Sequence, residues 1–368
     1  MEEWYRVKNI DEIDSPALVV YPDRVKENIA LIKSMIGDAD RLRPHVKTHK
    51  SSDVTLLMLE AGISKFKCAT IAEAEMLATV NAPDVLLAYQ PVGPKIQRFI
   101  SLIKQYPATK FSCLIDNKNA AQRIADGASE AGIIIPVFID LNVGMNRTGT
   151  LPGNAVDLYS FCLQLKGVEP IGLHAYDGHI VDEDLAIRTK KCDEAFALVE
   201  NIKNELLQKG YEDPVIVAGG SPSFPVHARR ENVECSPGTF VYWDAGYVKK
   251  YKEQPFLPAA LVITRIISLP DETTLCTDLG HKSIAAENVL ANRVQFLNAP
   301  ELEFIGHSEE HLVLKTDKGH TYKIGDVLYG MPVHVCPTCA LYERAFTVEG
   351  GVVSGEWKIT ARDRKIGL

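Results

Sequence analysis

"FSCLIDNKNAAQRIADGASEAGIIIPVFIDLN", Phe111 to Asn142, holds one full unit of a repeating plan. A short β-branched and apolar run, "FSCLID", is followed by a stretch with helical periodicity, "NAAQRIADGASEAG", and then by a second run, "PVFIDLN". Gly132 stands where the helix should stop and a strand should begin. Working outward, the same alternation extends from about residue 41 to about residue 240, with runs of strand length in "RLRPHVKT", "FKCAT", "VLLAY", "PIGLHAY", "PVIVAGG" and "ECSPGTFV". Helical stretches such as "PKIQRFISLIKQY" and "CDEAFALVENIKNELLQKG" separate most of them, and Gly62 and Gly210 repeat the stop signal. Short strands alternating with longer helices imply parallel βα units. Eight such strands fit a (β/α)8 TIM-type barrel. A doubly wound open sheet is the alternative, but no G-x-G-x-x-G follows the first strand.

Beyond about residue 250 the pattern changes. "ALVITRIISLP", "TTLCTDLG", "RVQFL", "HLVLKT" and "VVSGEWKITA" alternate or are β-branched, with turns such as "LPDE" and "TDKG" between them. This reads as a second, all-β C-terminal domain. The expected division is residues 20–250 for the barrel and 251–368 for the β domain, with residues 1–19 added to the latter. The early strand "PALVVY" is a candidate to join that second domain.

Composition narrows the classes. The 368 residues are 46% hydrophobic and 24% charged, close to soluble globular averages. A net charge of −8 argues against nucleic acid as the main partner. No apolar run reaches the roughly 18 residues that span a bilayer. The opening "MEEWYRVKNIDEID" has neither the basic nor the apolar region of a signal peptide, so a cytoplasmic protein is expected. Eight scattered cysteines fit a reducing compartment, where most are small buried hydrophobes; Cys336 and Cys339 form the one close pair.

In a barrel, chemistry collects at the carboxyl ends of the strands. Those ends hold His45, Lys47 and His49 in the first strand, then Asn142, Met145, Asn146 and Arg147 in the fifth. The sixth carries His174, Tyr176, Asp177 and His179; the seventh Gly219, Gly220 and Ser221; the eighth Pro237, Gly238 and Thr239. Each alone is unremarkable, since a single lysine is usually solvated and "GGS" is usually just a tight turn. Together, a lysine, an arginine and two turns exposing backbone N–H groups point to a phosphorylated cofactor. Farther along, His334 and Cys336 in "HVC" would share a strand face, an imidazole and a thiolate able to hold zinc or a similar ion.

"RPHVKTHK" resembles the cofactor-lysine segment of the pyridoxal-phosphate enzymes with an alanine-racemase-like barrel, closest to the branch of D-threonine aldolase and D-serine dehydratase. "LNVGMNRTG", "AGGSPS", "SPGTFVY", "DLGHKSI" and "PVHVCPT" carry the resemblance nearly end to end, in order. It implies that Lys47 holds pyridoxal 5'-phosphate as an imine, which only a primary amine can form. His45 would line the site, Arg147 would stand beside the phenolic oxygen, and Gly220, Ser221, Gly238 and Thr239 would take the phosphate. Alanine racemases place an arginine at the pyridine nitrogen where this chain has Ser236; Tyr176 is the substitute expected here. The resemblance also implies a divalent metal, Zn2+ or Mn2+, on His334 and Cys336. Cys339 is read as buried, with a third sulfur ligand as the alternative.

Such a site implies a lyase acting on a small D-amino acid. Cleavage of a D-3-hydroxy-α-amino acid of the D-threonine type, with His179 of "YDGH" as the base, is the expected activity. A D-serine or D-threo-3-hydroxyaspartate dehydratase, with Lys47 removing the α-proton, is the alternative. A racemase is disfavoured because "HVC" replaces the expected tyrosine surroundings, and a non-catalytic pyridoxal-phosphate-binding protein would lack the β domain. Family members form head-to-tail homodimers in which one chain's β domain covers the other's barrel mouth, so a homodimer is expected.

Overall fold

Seven of the short apolar runs between about residues 41 and 240 are strands of a single parallel sheet. The computed structural model describes residues 3–368; residues 1 and 2, part of the N-terminal segment assigned above to the β domain, lie outside it. The chain forms two compact units, one of Ile32–Lys47, Thr55–Gly238 and Asp363–Leu368, the other of Met1–Leu31, Thr48–Val54 and Thr239–Arg362. Strand β1 (Ala17–Val20) belongs to the second unit.

The first unit carries β2 (Lys65–Cys68), β3 (Asp84–Leu87), β4 (Lys110–Ile115), β5 (Ile135–Leu141), β6 (Val168–Ala175), β7 (Val215–Ala218) and β8 (Val233–Cys235), hydrogen-bonded in chain order. Every pairing is parallel. The expected first strand is not a regular one. Residues Leu42 to Val46 make two isolated parallel bridges, Leu42 to Cys235 of β8 and His45 to Lys67 of β2. Arg43 N–H donates to the Cys235 carbonyl at 2.9 Å, and Val46 N–H to the Lys67 carbonyl at 2.9 Å, so this segment joins the two sheet edges and completes the ring. Pro44 supplies no N–H and interrupts a regular ladder there. The ring thus has seven regular strands and one irregular stave.

Arg43 explains part of the charge in "RPHVKTHK". It is buried, and its guanidinium meets Glu234 and Asp84, each at 2.6 Å, while Lys65 takes the other Glu234 oxygen at 2.6 Å. Burial works against that charge, but the two carboxylates hold the guanidinium above its ordinary pKa. Inside the ring Leu86, Leu114, Phe138 and Val217 pack together. The helix Lys118–Glu130 and strand β5 fall where the quoted stretch places them.

The second unit holds one nine-stranded sheet. Its additional strands are β9 (Ala260–Ser268), β10 (Thr274–Thr277), β11 (Val294–Phe296), β12 (Glu303–His307), β13 (Leu312–Lys315), β14 (Val327–Pro332), β15 (Arg344–Glu349) and β16 (Val352–Lys358). As expected, "PALVVY" joins this sheet: β1 lies between β9, antiparallel, and β15, parallel. Val19, Leu261, Ile263, Tyr329 and Met331 share its core with Tyr5 and Ile13.

Candidate active site

Lys47 is exposed and follows the irregular stave directly; its backbone N–H donates to Nδ1 of His45 at 3.3 Å. The chain then turns through Val46–His49 rather than continuing as a strand, and Lys50 has φ of 51°. The expectation that His49 lies in the first strand with Lys47 therefore fails. His49 is buried in the second unit, accepts from the Ser51 N–H at 3.1 Å, and packs edge-on against Tyr242 with ring centroids 6.4 Å apart. Burial depresses its imidazole to a pKa of about 3.

At the carboxyl ends of β2, β5 and β6 a polar cluster occupies the interior. His174 Nδ1 is 2.7 Å from Oδ1 of Asp140, its register partner on β5, and His174 Nε2 is 3.4 Å from Nζ of Lys67. All three are buried. The Tyr176 ring collects two cations, the Arg147 guanidinium at 5.1 Å and the Lys67 amine at 5.8 Å from its centroid. Lys67 and Asp140 were not singled out in the sequence. The visible signal was a lysine inside the apolar strand "FKCAT" and an aspartate inside "PVFIDLN".

Glycines hold these side chains in place. A Cβ on Gly178 would stand 2.3 Å from the Tyr176 ring, and one on Gly220 would stand 3.0 Å from it. Gly144, at φ of 122°, lets the loop after β5 approach the His179 imidazole, whose Nε2 would be 2.6 Å from a Cβ there. His179 and Arg147 are both exposed beside that loop, so the structure groups Lys47, His45, Arg147, Tyr176 and His179 at one end of the ring.

The two small-residue turns are tied to each other: the Gly238 N–H donates to Ser221 Oγ at 3.2 Å. Beneath them Asp177 accepts from Ser223 Oγ at 2.7 Å and meets His227 Nε2 at 2.7 Å, while Ser223 Oγ accepts from the Gly220 N–H at 3.1 Å. Burial alone would raise the Asp177 carboxyl, but His227 and Ser223 carry it below its ordinary range. Asp177, Cys192 and His227 lie within 4.8 Å of one another, a spacing that can hold a metal. Here both Asp177 oxygens already take hydrogen bonds, and burial pushes the Cys192 thiol up to about 12, so the trio acts as a hydrogen-bonded brace. Ser236, at the position noted above, is buried, and among the described residues its hydroxyl has no partner. A hydroxyl can donate to an unprotonated ring nitrogen, as a guanidinium would, and can also accept from a protonated one.

The proposed metal pair lies in the second unit, as does Thr239. His334 and Cys336 do not sit on a strand: β14 ends at Pro332, His334 caps the short helix Val335–Cys339, and Cys336 is inside it. Pro337, tolerated in a first helical turn, is the signal that the strand reading overlooked. The two side chains still meet. Hydrogen bonding to Cys336, ahead of the opposing cost of burial, raises the His334 imidazole to about 9. Glu287, also missed, bonds His334 Nδ1. Thr48 Oγ1 and Thr239 Oγ1 approach the Cys336 sulfur at 3.1 and 3.8 Å. An imidazole that interacts with both a thiol and a carboxylate is a donor set that suits a divalent ion. Asp244 anchors this corner, accepting from Val335 N–H at 3.0 Å; burial raises its carboxyl to about 6. Cys339 is fully buried.

A ring of parallel strands with a lysine at its first stave, glycine turns at its last two, and an accompanying β-sheet unit defines an alanine-racemase-like protein. Residues 20–245 match the family model "Alanine racemase, N-terminal domain", and residues 259–348 match "Putative serine dehydratase domain". The chain belongs to this pyridoxal-phosphate-dependent family. It is 27% identical to a D-threonine aldolase of Arthrobacter sp. over 95% of this chain and 93% of that one. It is 25% identical to the D-threo-3-hydroxyaspartate dehydratase of Delftia sp. (strain HT23), over 94% of this chain and 97% of the relative. The crystal structure of D-threonine aldolase from Filomicrobium marinum superposes with a TM-score of 0.88 at 25% identity, covering 95% of this chain and 96% of that one. Among the described residues no helix is long and apolar enough to cross a membrane.

Proposed function

We propose that the protein is a pyridoxal-phosphate- and metal-dependent lyase that cleaves D-3-hydroxy-α-amino acids to glycine and an aldehyde. The observation that carries the metal-dependent lyase reading is the convergence of His334 and Cys336, with Glu287 bonded to the imidazole. A racemase exchanging one α-proton has no use for such a cation-binding corner.

The coenzyme, when bound, accepts the electron pair of the bond broken at the α-carbon. A Zn2+ or Mn2+ ion on His334 and Cys336 would hold the substrate's β-hydroxyl and lower its pKa. The remaining roles fall to the protein. Lys47 offers an exposed primary amine at the stave end and tethers the coenzyme aldehyde. Arg147 neutralises the phenolic oxygen, with Tyr176 held beneath the guanidinium. The turns at Gly220, Ser221, Gly238 and Thr239 receive the phosphate, braced by Asp177 and His227. His45 orients the Lys47 backbone. The His179 imidazole takes the proton of the β-hydroxyl; the Cα–Cβ electrons go to the α-carbon, the aldehyde leaves, and a proton returned to that carbon gives glycine.

Dehydration is the second reading, favoured by Cys336 as ligand and by the dehydratase-domain match. There Lys47 removes the α-proton and hydroxide departs. Incubation with D-threonine and Zn2+ or Mn2+ separates the two: glycine with acetaldehyde is expected, and 2-oxobutanoate with ammonia would replace the aldolase by the dehydratase. Borohydride reduction of the coloured holoenzyme, followed by peptide mapping, should mark Lys47. We further propose a homodimer, checked by light scattering. Among the described residues no disulfide joins any of the eight cysteines, which supports a cytoplasmic setting.

A further inference from the structure

The proposed reaction uses Lys47 and leaves a second lysine at the same end of the ring without a task. Lys67 is 2% exposed, on a strand whose neighbours Phe66 and Cys68 are fully buried. Its position is built rather than incidental. Asp140 and His174 are register partners on adjacent strands, so their side chains emerge on the same side of the sheet. The 2.7 Å contact of His174 Nδ1 with Asp140 Oδ1 places the imidazole proton on Nδ1, because the carboxylate can only accept. Nε2 is therefore a lone pair, and it faces Lys67 Nζ at 3.4 Å. Lys67 must donate there, which it can do both as an amine and as an ammonium.

We propose that Lys67 is a positioning residue whose protonation is coupled to coenzyme binding: the strand ends accept the anionic coenzyme best when Lys67, bonded to His174, carries its proton. This rests on the reading above that the coenzyme is tethered at Lys47 with its oxygen toward Arg147. The charged groups around Lys67 set the coupling. Lys47 and Arg43 on the stave oppose its charge; Asp140 on β5 and Asp177 after β6 favour it. His174, uncharged in the relay, supplies only its lone pair, and Arg147 approaches the same Tyr176 ring as Lys67. Burial and the two stave cations, against the carboxylates, bring the free amine down to about 7. At neutral pH it is thus divided between its two forms. A phosphorylated, phenolate-bearing ligand tilts that division toward the ammonium and takes up a proton.

The test uses cofactor-free full-length protein and pyridoxine 5'-phosphate, which lacks the aldehyde and so binds without any bond to Lys47. Affinity is measured by fluorescence titration between pH 6 and pH 9 for the wild type, Lys67→Met, Lys67→Gln and Lys67→Arg, each checked for native circular dichroism. The ligand's own ionisations are common to all four proteins. Relative to Lys67→Met, the wild type should bind about tenfold tighter at pH 6 and lose that advantage by pH 9. Lys67→Arg should keep the advantage throughout, because guanidinium does not titrate in this range. Lys67→Gln should follow Lys67→Met. Parallel profiles for wild type and a folded Lys67→Met or Lys67→Gln would overturn the proposal, as would a folded Lys67→Arg no tighter than Lys67→Met. Lack of pyridoxine 5'-phosphate binding to the wild type at every pH would overturn it together with the coenzyme reading. A borohydride-sensitive band surviving in Lys47→Ala would overturn the Lys47 tether alone.

Discussion

His227 Nε2 lies 2.7 Å from Oδ2 of Asp177, and the other oxygen of that carboxylate accepts from Ser223 2.7 Å away. One buried group after β6 thereby holds the turn after β7. Asp177→Ala should cost about 3 kcal/mol of stability, read from urea midpoints, by breaking a buried polar network. The carboxyl is held below its ordinary value of 3.8, so its contribution is complete above that pH. It is lost as pH falls through the lower folded value. The stability difference between wild type and Asp177→Asn should stay constant from pH 8 to pH 5 and close in acid.

Lys67 gives a slope of the same sign, because it too holds its proton less tightly in the folded chain, but in an alkaline window. Its folded value of about 7 lies under the ordinary lysine value of 10.5, so between those values only the unfolded chain is charged. Stability of the cofactor-free protein should rise with pH by about 1.4 kcal/mol per unit across that window, relative to Lys67→Met. Thermal melts of the two proteins from pH 7 to pH 10 check the slope.

Glu287 bonds Nδ1 of His334, a proposed metal ligand. Glu287→Gln should weaken Zn2+ or Mn2+ about 10- to 100-fold, measured by competition with a chelating dye, with little change in coenzyme absorbance.

His179→Gln should lower the rate of glycine release by about 100- to 10,000-fold while leaving the coenzyme's visible band intact. Equal loss of colour and rate would reassign His179 to coenzyme binding.

Gly178→Ala would put a methyl 2.3 Å from the Tyr176 ring and must displace it. Coenzyme affinity should fall at least tenfold, measured by absorbance titration.

The fold was legible where local patterns were strong. β4, the helix Lys118–Glu130 and β5 sit within a few residues of the quoted stretch, because strand-length apolar runs and a helix-stop glycine are local signals. β12, β14 and β15 escaped notice: β12 is half-exposed and carries little apolar contrast, and β14 and β15 flank a short helix that blurs their ends. At the candidate site, residues close in sequence are legible as motifs and their distant partners are not. Lys47, Arg147, Tyr176 and His179 sit in compact motifs. Lys67, Asp140 and Glu287 are brought to their partners only by strand register and loop return, which no single motif encodes. The strand reading misplaced His49 and Cys336 because a turn and a proline-bearing helix intervene.

Val20 and its antiparallel partner Ala260 are separated by 240 residues. A ribosome adding about 5 to 20 residues per second leaves the apolar segment "ALVV" waiting on the order of 10 to 50 seconds for that neighbour. During synthesis the nascent chain therefore carries an unsatisfied sticky edge near its beginning. Overexpression should draw heavily on chaperones that shield such edges, and a fragment starting after residue 250 would lack the strand its own sheet is built around.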